Sequence, residues 1–266
     1  MKSLIFILLL LLPALTFGHN SRNFTKFDFS KIYTVGKNFH FTYSVIKDKL
    51  EYKIVPKKPE GTGMNVRSRS EYEEYLLPIT TDTIFLDTLI LSVQELRVKK
   101  GKKFKSVGSR IWFVGENNQR EFGIAQLVNS KDFLKIFPFE ETWYESGFMN
   151  TIQANPALMM TNFPERDTSW TDAFSISQKY SNDKWQTWTD SLNVKSRYNI
   201  IGKDSISTAL GKVDTWKISA TAESKIGRSS LESYFSIKYG FVRINYTLVD
   251  GTQLNLELVS VEEKEK

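Results

Sequence analysis

The chain has 266 residues, 41% of them hydrophobic, which is enough material for a buried core without covalent staples. It holds no cysteine and two histidines, which excludes thiolate chemistry, cysteine–zinc and iron–sulfur centres, disulfides and any multi-histidine metal site beyond a pair using His19. The net charge of +6 comes from basic and acidic residues interspersed along most of the chain, a balance that favours solubility without specifying a partner.

The N-terminus carries an export address. Lys2 is followed by an unbroken apolar run from Leu4 to Leu12, an extension through Pro13 to Phe17, and Gly18. This is the layout of a secretory signal peptide over residues 1–18, with Thr16 and Gly18 three and one residues before the cut. The run is too short for a comfortable membrane span, which needs about 20 residues, and no later segment approaches that length. The working protein is therefore expected to begin near His19, in the periplasm or outside the cell. With no cysteine to modify, it is expected to be free of a cysteine-linked lipid anchor. The sequons at Asn23 and Asn245 matter only on a eukaryotic secretory route and are read as incidental.

Residues 19–31 read as a polar lead-in carrying Phe24, Phe27 and Phe29. From residue 38 the apolar period is two. Phe39, Phe41, Tyr43 and Val45 alternate with His40, Thr42 and Ser44; a turn at Lys47, Asp48 and Lys49 follows, and Leu50, Tyr52 and Ile54 then alternate in their turn. This is a hairpin pattern. Residues 56–63 concentrate proline and glycine and read as a loop. Strands are expected within 64–98, the longest from Thr83 to Val98, and a further hairpin pairs Gly108–Val114 with Glu121–Val128. Residues 131–165 are the least regular, and Ala157 to Met160 reads as one short helical turn. Five regular runs close the chain: Leu192–Ile201, Val213–Thr221, Leu231–Lys238, Phe241–Leu248 and Thr252–Val261. They are punctuated at Gly202–Asp204, Gly211, Gly227 and Asp250–Gly251. The fold class is mainly β: antiparallel meander sheets, curled or barrel-like, with little helix outside the signal peptide. The division is 1–18, a β-rich half at 19–165 and a meander at 166–266, or one continuous domain over 32–262.

Candidate chemistry is sparse. His40 lies mid-strand with no Gly-x-Ser-x-Gly elbow beside any serine, so no catalytic residue and no metal ligand is assigned. Glu140, Glu141, Asp167, Asp172, Asp183 and Asp190 lie in loop-like sequence, leaving open a carboxylate pair for glycoside hydrolysis or plain solvated acids. Trp170, Trp185, Trp188 and Trp216 are ligand-binding candidates. Large rings among small polar residues make a stacking platform for sugars or a clamp for an apolar ligand; the alternative is that each plugs the core. Lys99, Lys100, Lys102 and Lys103 form the strongest charge cluster, either a contact for an anionic surface or a solvated hairpin tip. Phosphate-loop patterns are absent and the export signal disfavours nucleic acid. No cofactor is expected.

The last hundred residues carry a resemblance. Ile206–Gly211, Val213–Ile218, Tyr234 and Phe235, Lys238–Arg243 and Asp250–Leu258 resemble the C-terminal half of exported Bacteroidetes-like β-rich proteins of unknown function. The resemblance implies an exported, curled antiparallel sheet. Similar sheets occur in the lipoprotein-carrier fold, where the concave face holds acyl chains. The expectation is an exported, non-enzymatic envelope protein that acts by binding a lipid or other apolar ligand, or another envelope component. The alternatives are a periplasmic carrier whose cavity is lined by Trp216, Ile218, Val242, Ile244, Leu254 and Leu256, and a secreted polysaccharide hydrolase.

Overall fold

A computed structural model describes residues 27–55, 75–79, 85–97, 105–115, 118–136, 141–142, 154–162, 168–181 and 186–263. The signal segment, the loop at 56–63, Asn23, Trp185, Glu140, Asp167, Asp183 and the lysines at 99, 100, 102 and 103 lie outside the described residues.

Period-two patterning builds the centre of the sheet. Strand β1 (Lys37–Lys47) buries Phe39, Phe41, Tyr43 and Val45 on one face. It turns into β2 (Leu50–Val55) through Asp48 and Lys49, both at positive φ (50° and 67°). A two-residue hairpin with both central residues in that region matches the natural twist of the flanking strands. One edge of β1 pairs antiparallel with β15 (Gln253–Glu263), so Phe39 stands opposite Val261.

The other edge is forked. Asn38–Thr42 pair with β4 (Thr88–Arg97), whereas Val45–Lys47 pair with β2. The Tyr43 hydroxyl fills the fork: it accepts the Ile54 N–H at 3.0 Å and donates to the Leu86 carbonyl. β3 (Tyr75–Pro78) extends the β2 side.

From β4 the sheet continues antiparallel through β5 (Lys105–Gly115), β6 (Asn118–Asn129), β7 (Phe133–Ile136) and β9 (Leu158–Thr161), with β8 (Glu141–Thr142) beside β6. From β15 it runs the other way through β14 (Gly240–Thr247), β13 (Gly227–Ser236), β12 (Gly211–Ser224), β11 (Ser191–Thr208) and β10 (Ser169–Ser177). Among the described residues the result is one 15-stranded antiparallel sheet. It curls until its ends meet. Lys135 of β7 and Asp172 of β10 form an ion pair at 2.7 and 2.8 Å, and the Tyr198 hydroxyl and the Ser229 hydroxyl donate to the carbonyls of Ala157 (3.0 Å) and Ala154 (2.9 Å). Among the described residues no backbone ladder joins β9 to β10, so the sheet is curled and not closed into a barrel.

The core gathers in one main cluster and a smaller one. Phe39, Leu91, Ile111 and Leu134 share one cluster with Trp216, Phe235, Ile244 and Leu256, so residues from both sides of position 165 pack together. A satellite cluster holds Trp188, Leu192, Val194, Ile176 and Ala222. Residues 27–36 form a strap whose 3-10 turn, Phe29–Lys31, is capped by the Asp28 carboxylate accepting the Ser30 N–H at 3.2 Å. Phe29 is fully buried and packs edge-on against Phe235 at 5.8 Å between ring centres.

Three expectations need correction. Ala157 to Met160 does not make a helical turn: Leu158–Thr161 is a strand laddered to β7, with Leu134 opposite Met160. A short apolar run fits either structure, and here the available strand edge decides. Gly202 does not end a strand, because β11 runs on to Thr208 with a bulge between Ile200 and Gly202. Asp172 is not in a loop; it lies in β10, a strand that sequence patterning overlooked because its face mixes Trp170, Asp172, Phe174 and Ile176.

Candidate functional site

The bulge in β11 shapes a groove of about 640 Å³ at one end of the sheet. Inserting Ile201 without a partner turns its side chain out to solvent, where it is 59% exposed, and sets Lys203 opposite Trp216. Trp216 is buried, and Lys203 Nζ lies 4.9 Å from the centre of its ring. This is the geometry of a cation–π contact. The strap contributes Phe27 to the groove and the β13–β14 turn contributes Ile237, which is 49% exposed.

The polar wall comes from the two strands themselves. Asp204 and Ser205 of β11 and Asp214 of β12 line the groove with exposed side chains. Thr215 lies behind them and donates from its hydroxyl to the Asp204 carbonyl at 3.2 Å, which ties the strands beneath the groove. The Asp204 carboxylate accepts the N–H of Ser205 at 2.8 Å. Phe27 is held by the Asn162 amide, which accepts its N–H at 2.9 Å and donates to its carbonyl at 2.6 Å. One side chain thus stands in for a neighbouring strand.

The structure places the tryptophan candidates apart. Trp216 forms the floor of the groove. Trp170 is half-buried and stacks flat on Tyr198, with ring centres 4.9 Å apart and planes 5° from parallel. Trp188 is buried in the satellite cluster, its backbone N–H donating to the Ser181 hydroxyl at 2.8 Å. The six residues named for a carrier cavity, Trp216, Ile218, Val242, Ile244, Leu254 and Leu256, are all buried in the main core.

Among the acids, Asp172 is paired with Lys135, and Asp190 is exposed on a turn at φ 61° with its N–H donating to Gln178. His40 Nε2 lies 3.2 Å from a carboxylate oxygen of Glu262. Burial, reinforced by the negative charge of Asp172, pushes the Tyr198 hydroxyl far above its usual range; burial alone does the same for Tyr246, so both phenols stay neutral.

Sequence patterning missed Phe27, Lys203, Asp204, Asp214 and Ile237. A signal for two of them existed: an isolated glycine inside a strand pattern marks a bulge as readily as a turn, and Gly202 sits directly before Lys203 and Asp204.

No family model matches the chain, and no curated protein matches it. Two solved structures are similar. One is a candidate exported protein with a YmcC-like fold from Bacteroides fragilis, 9% identical at a TM-score of 0.41, the match covering 90% of this chain and 100% of that one. The other is a candidate lipoprotein from Parabacteroides distasonis, 12% identical at a TM-score of 0.45, covering 89% of this chain and 99% of that one.

Proposed function

We propose that this is an exported, non-enzymatic protein of the bacterial envelope that acts by binding, with its ligand seated in the groove over Trp216. The observation that carries the reading is the groove itself: an aromatic floor, an apolar rim and a polar wall within about 640 Å³. That volume falls in the range of roughly 300–1,000 Å³ typical of ligand sites. The carrier reading asks for an empty concave face, and the six side chains it needs are packed against one another and against Phe235 and Phe241. The hydrolase reading asks for two carboxylates facing each other. Asp204 is registered against Thr215 and Asp214 against Ser205, so strand alternation directs the two acids to opposite sides of the hairpin.

The test is native mass spectrometry of protein purified from its own host, as wild type and as Asp214→Ala, Lys203→Ala and Ile237→Glu. All three side chains are exposed, so the variants should fold. A co-purifying ligand that the variants lose supports the groove. A ligand that survives all three substitutions, or no ligand at all, overturns it.

A further inference from the structure

We propose that β10 is a dimerisation strand, its free edge pairing antiparallel with the same strand of a second copy of this chain across a two-fold axis at Ala173. β10 ends the sheet: β11 lies along one edge, and among the described residues no strand ladders the other. The Ile200 N–H donates to the Thr168 carbonyl at 2.7 Å, so the even-numbered residues of β10 turn their backbone groups to β11. Alternation then points the N–H and carbonyl groups of Ser169, Thr171, Ala173, Ser175 and Ser177 outward. The contacts that hold β7 and residues 154–157 to this end of the sheet come from the side chains of Asp172, Tyr198 and Ser229, and they leave that backbone edge unladdered.

Exposed edge strands are normally defended by shortness, lysine, proline, a bulge or an inward charge. β9, at the opposite end of the sheet, has four residues. β10 has nine, contains neither lysine nor proline, and runs along β11 without a register shift. Its one inward charge, Asp172, is already matched by Lys135, so a neighbouring strand meets a neutral pair. The five side chains on its open face, from Ser169 to Ser177, are small, uncharged and exposed.

The strand's own sequence selects a second copy as the occupant. Paired about Ala173, Thr171 stands opposite Ser175 of the other copy and Ser169 opposite Ser177, hydroxyl against hydroxyl. On the more buried face Trp170 meets Ile176, an aromatic ring against a β-branched side chain. Both are favourable cross-strand pairs, and each occurs twice by symmetry. No charge opposes its like, because Asp172 falls opposite Phe174. Nine residues a side is well short of the roughly 20–30 of a standard interface. The dimer should therefore be weak, with a Kd on the order of 10–100 μM.

Sedimentation equilibrium of the chain from His19 onward, between about 1 μM and 1 mM, tests this. Wild type should pass from monomer to dimer. Thr171→Glu with Ser175→Glu sets carboxylates opposite each other at both symmetry-related pairs and should weaken dimerisation about tenfold. Thr171→Glu with Ser175→Lys sets opposite charges at the same pairs and should restore it to within about threefold of wild type. Both positions are exposed, and Thr171 stands opposite Arg197 of its own β11, which favours glutamate there. Both variants should therefore fold, as matching far-ultraviolet circular dichroism would verify. A wild type that stays monomeric at about 1 mM, even one carrying a foreign strand on β10, overturns the proposal. So does a dimer that survives the double glutamate substitution, or one that the glutamate–lysine variant fails to restore.

Discussion

Gly240 shows how one position couples the strap to the sheet. Its φ is +78°, and a Cβ built on it would meet the Tyr33 hydroxyl oxygen at 2.5 Å and the carbon bearing it at 2.7 Å. Tyr33 is buried, and its oxygen accepts the N–H of Phe241 at 3.0 Å. Directly after it, the register shifts so that Val242 is the extra residue and both Phe241 and Val242 are buried. Gly240→Ala should therefore cost about 2–4 kcal/mol, from unfavourable backbone and steric overlap together. Tyr33→Phe should cost about 1–2 kcal/mol, because it orphans a buried N–H. Urea midpoints measure both, and a loss under about 0.5 kcal/mol for the alanine variant would remove Tyr33 as the reason for the glycine. The break between the Leu231–Lys238 and Phe241–Leu248 runs, where Gly240 stands, was legible in the sequence. Its partner was not, since Tyr33 lies some two hundred residues away and nothing local links them. The same holds for Phe27 and Asn162, and for the groove they border.

At the scale of strands, two polar pairings do different work. On the outer face, Lys217, Tyr234, Arg243 and Glu257 stand directly opposite one another across β12, β13, β14 and β15. Lys217 also reaches Glu232 at 2.7 Å and Arg243 reaches Glu257 at 2.8 Å. Desolvation pushes the Glu232 carboxyl up, but hydrogen bonds from Lys217 and Tyr234, with the charge of Lys217, hold it below its ordinary 4.5. The hydrogen bond to Glu232 in turn raises Lys217 above 10.5. A depressed acid stabilises above its unfolded value and loses that as pH falls through the folded one. A raised base stabilises below its unfolded value and loses that as pH rises through the folded one. The pair therefore contributes most between about pH 5 and pH 10. Lys217→Met should make the fall in stability below about pH 5 shallower, by a small amount because both groups are partly open to solvent. Identical acid limbs in the two proteins would show that Glu232 titrates without Lys217.

The seam pair behaves otherwise. Lys135 and Asp172 have side chains only 10% and 15% exposed, and they join the two ends of the sheet where no described ladder does. Lys135→Met should destabilise by about 3 kcal/mol by stranding a carboxylate, whereas Lys135→Met with Asp172→Leu should return to within about 1 kcal/mol of wild type. Thermal denaturation of the two singles and the double closes the cycle; additive losses would mean that the pair is not coupled. β10 escaped sequence patterning for the reason that Asp172 occupies it: a strand that buries an ion pair loses the clean alternation that marked β11 to β15.

For the whole molecule, the question is whether the chain is two folding units or one. Composition placed a boundary near residue 165, where prolines interrupt the pattern, and offered a single domain over 32–262 as the other choice. The pairing of β1 with β15 bears on this directly. Phe39, Phe41, Tyr43 and Val45 sit opposite Val261, Leu258, Leu256 and Leu254, so the N-terminal half supplies the neighbour of the last strand. The strap adds Phe29 against Phe235 and the Tyr33 hydroxyl against the β13–β14 bulge. Removing residues 19–165 would leave β15 with a bare, apolar edge and strip the cover from the face bearing Trp216, Phe235 and Phe241. An unprotected edge of that kind is a template for aggregation. A fragment of residues 166–266, although it holds the most regular strands in the sequence, should therefore fail to form a soluble, cooperatively folding monomer, and the intact chain should melt in one transition seen alike by circular dichroism and tryptophan fluorescence. Pairings of such long sequence separation should also make refolding slow, on the order of milliseconds to seconds or longer. A monomeric fragment with fixed near-ultraviolet dichroism, or an intact chain that melts in two separate steps, would instead make residue 165 a true boundary. The groove would then belong to the C-terminal unit except for the strap, because Phe27 is the sole described lining residue that comes from the N-terminal half.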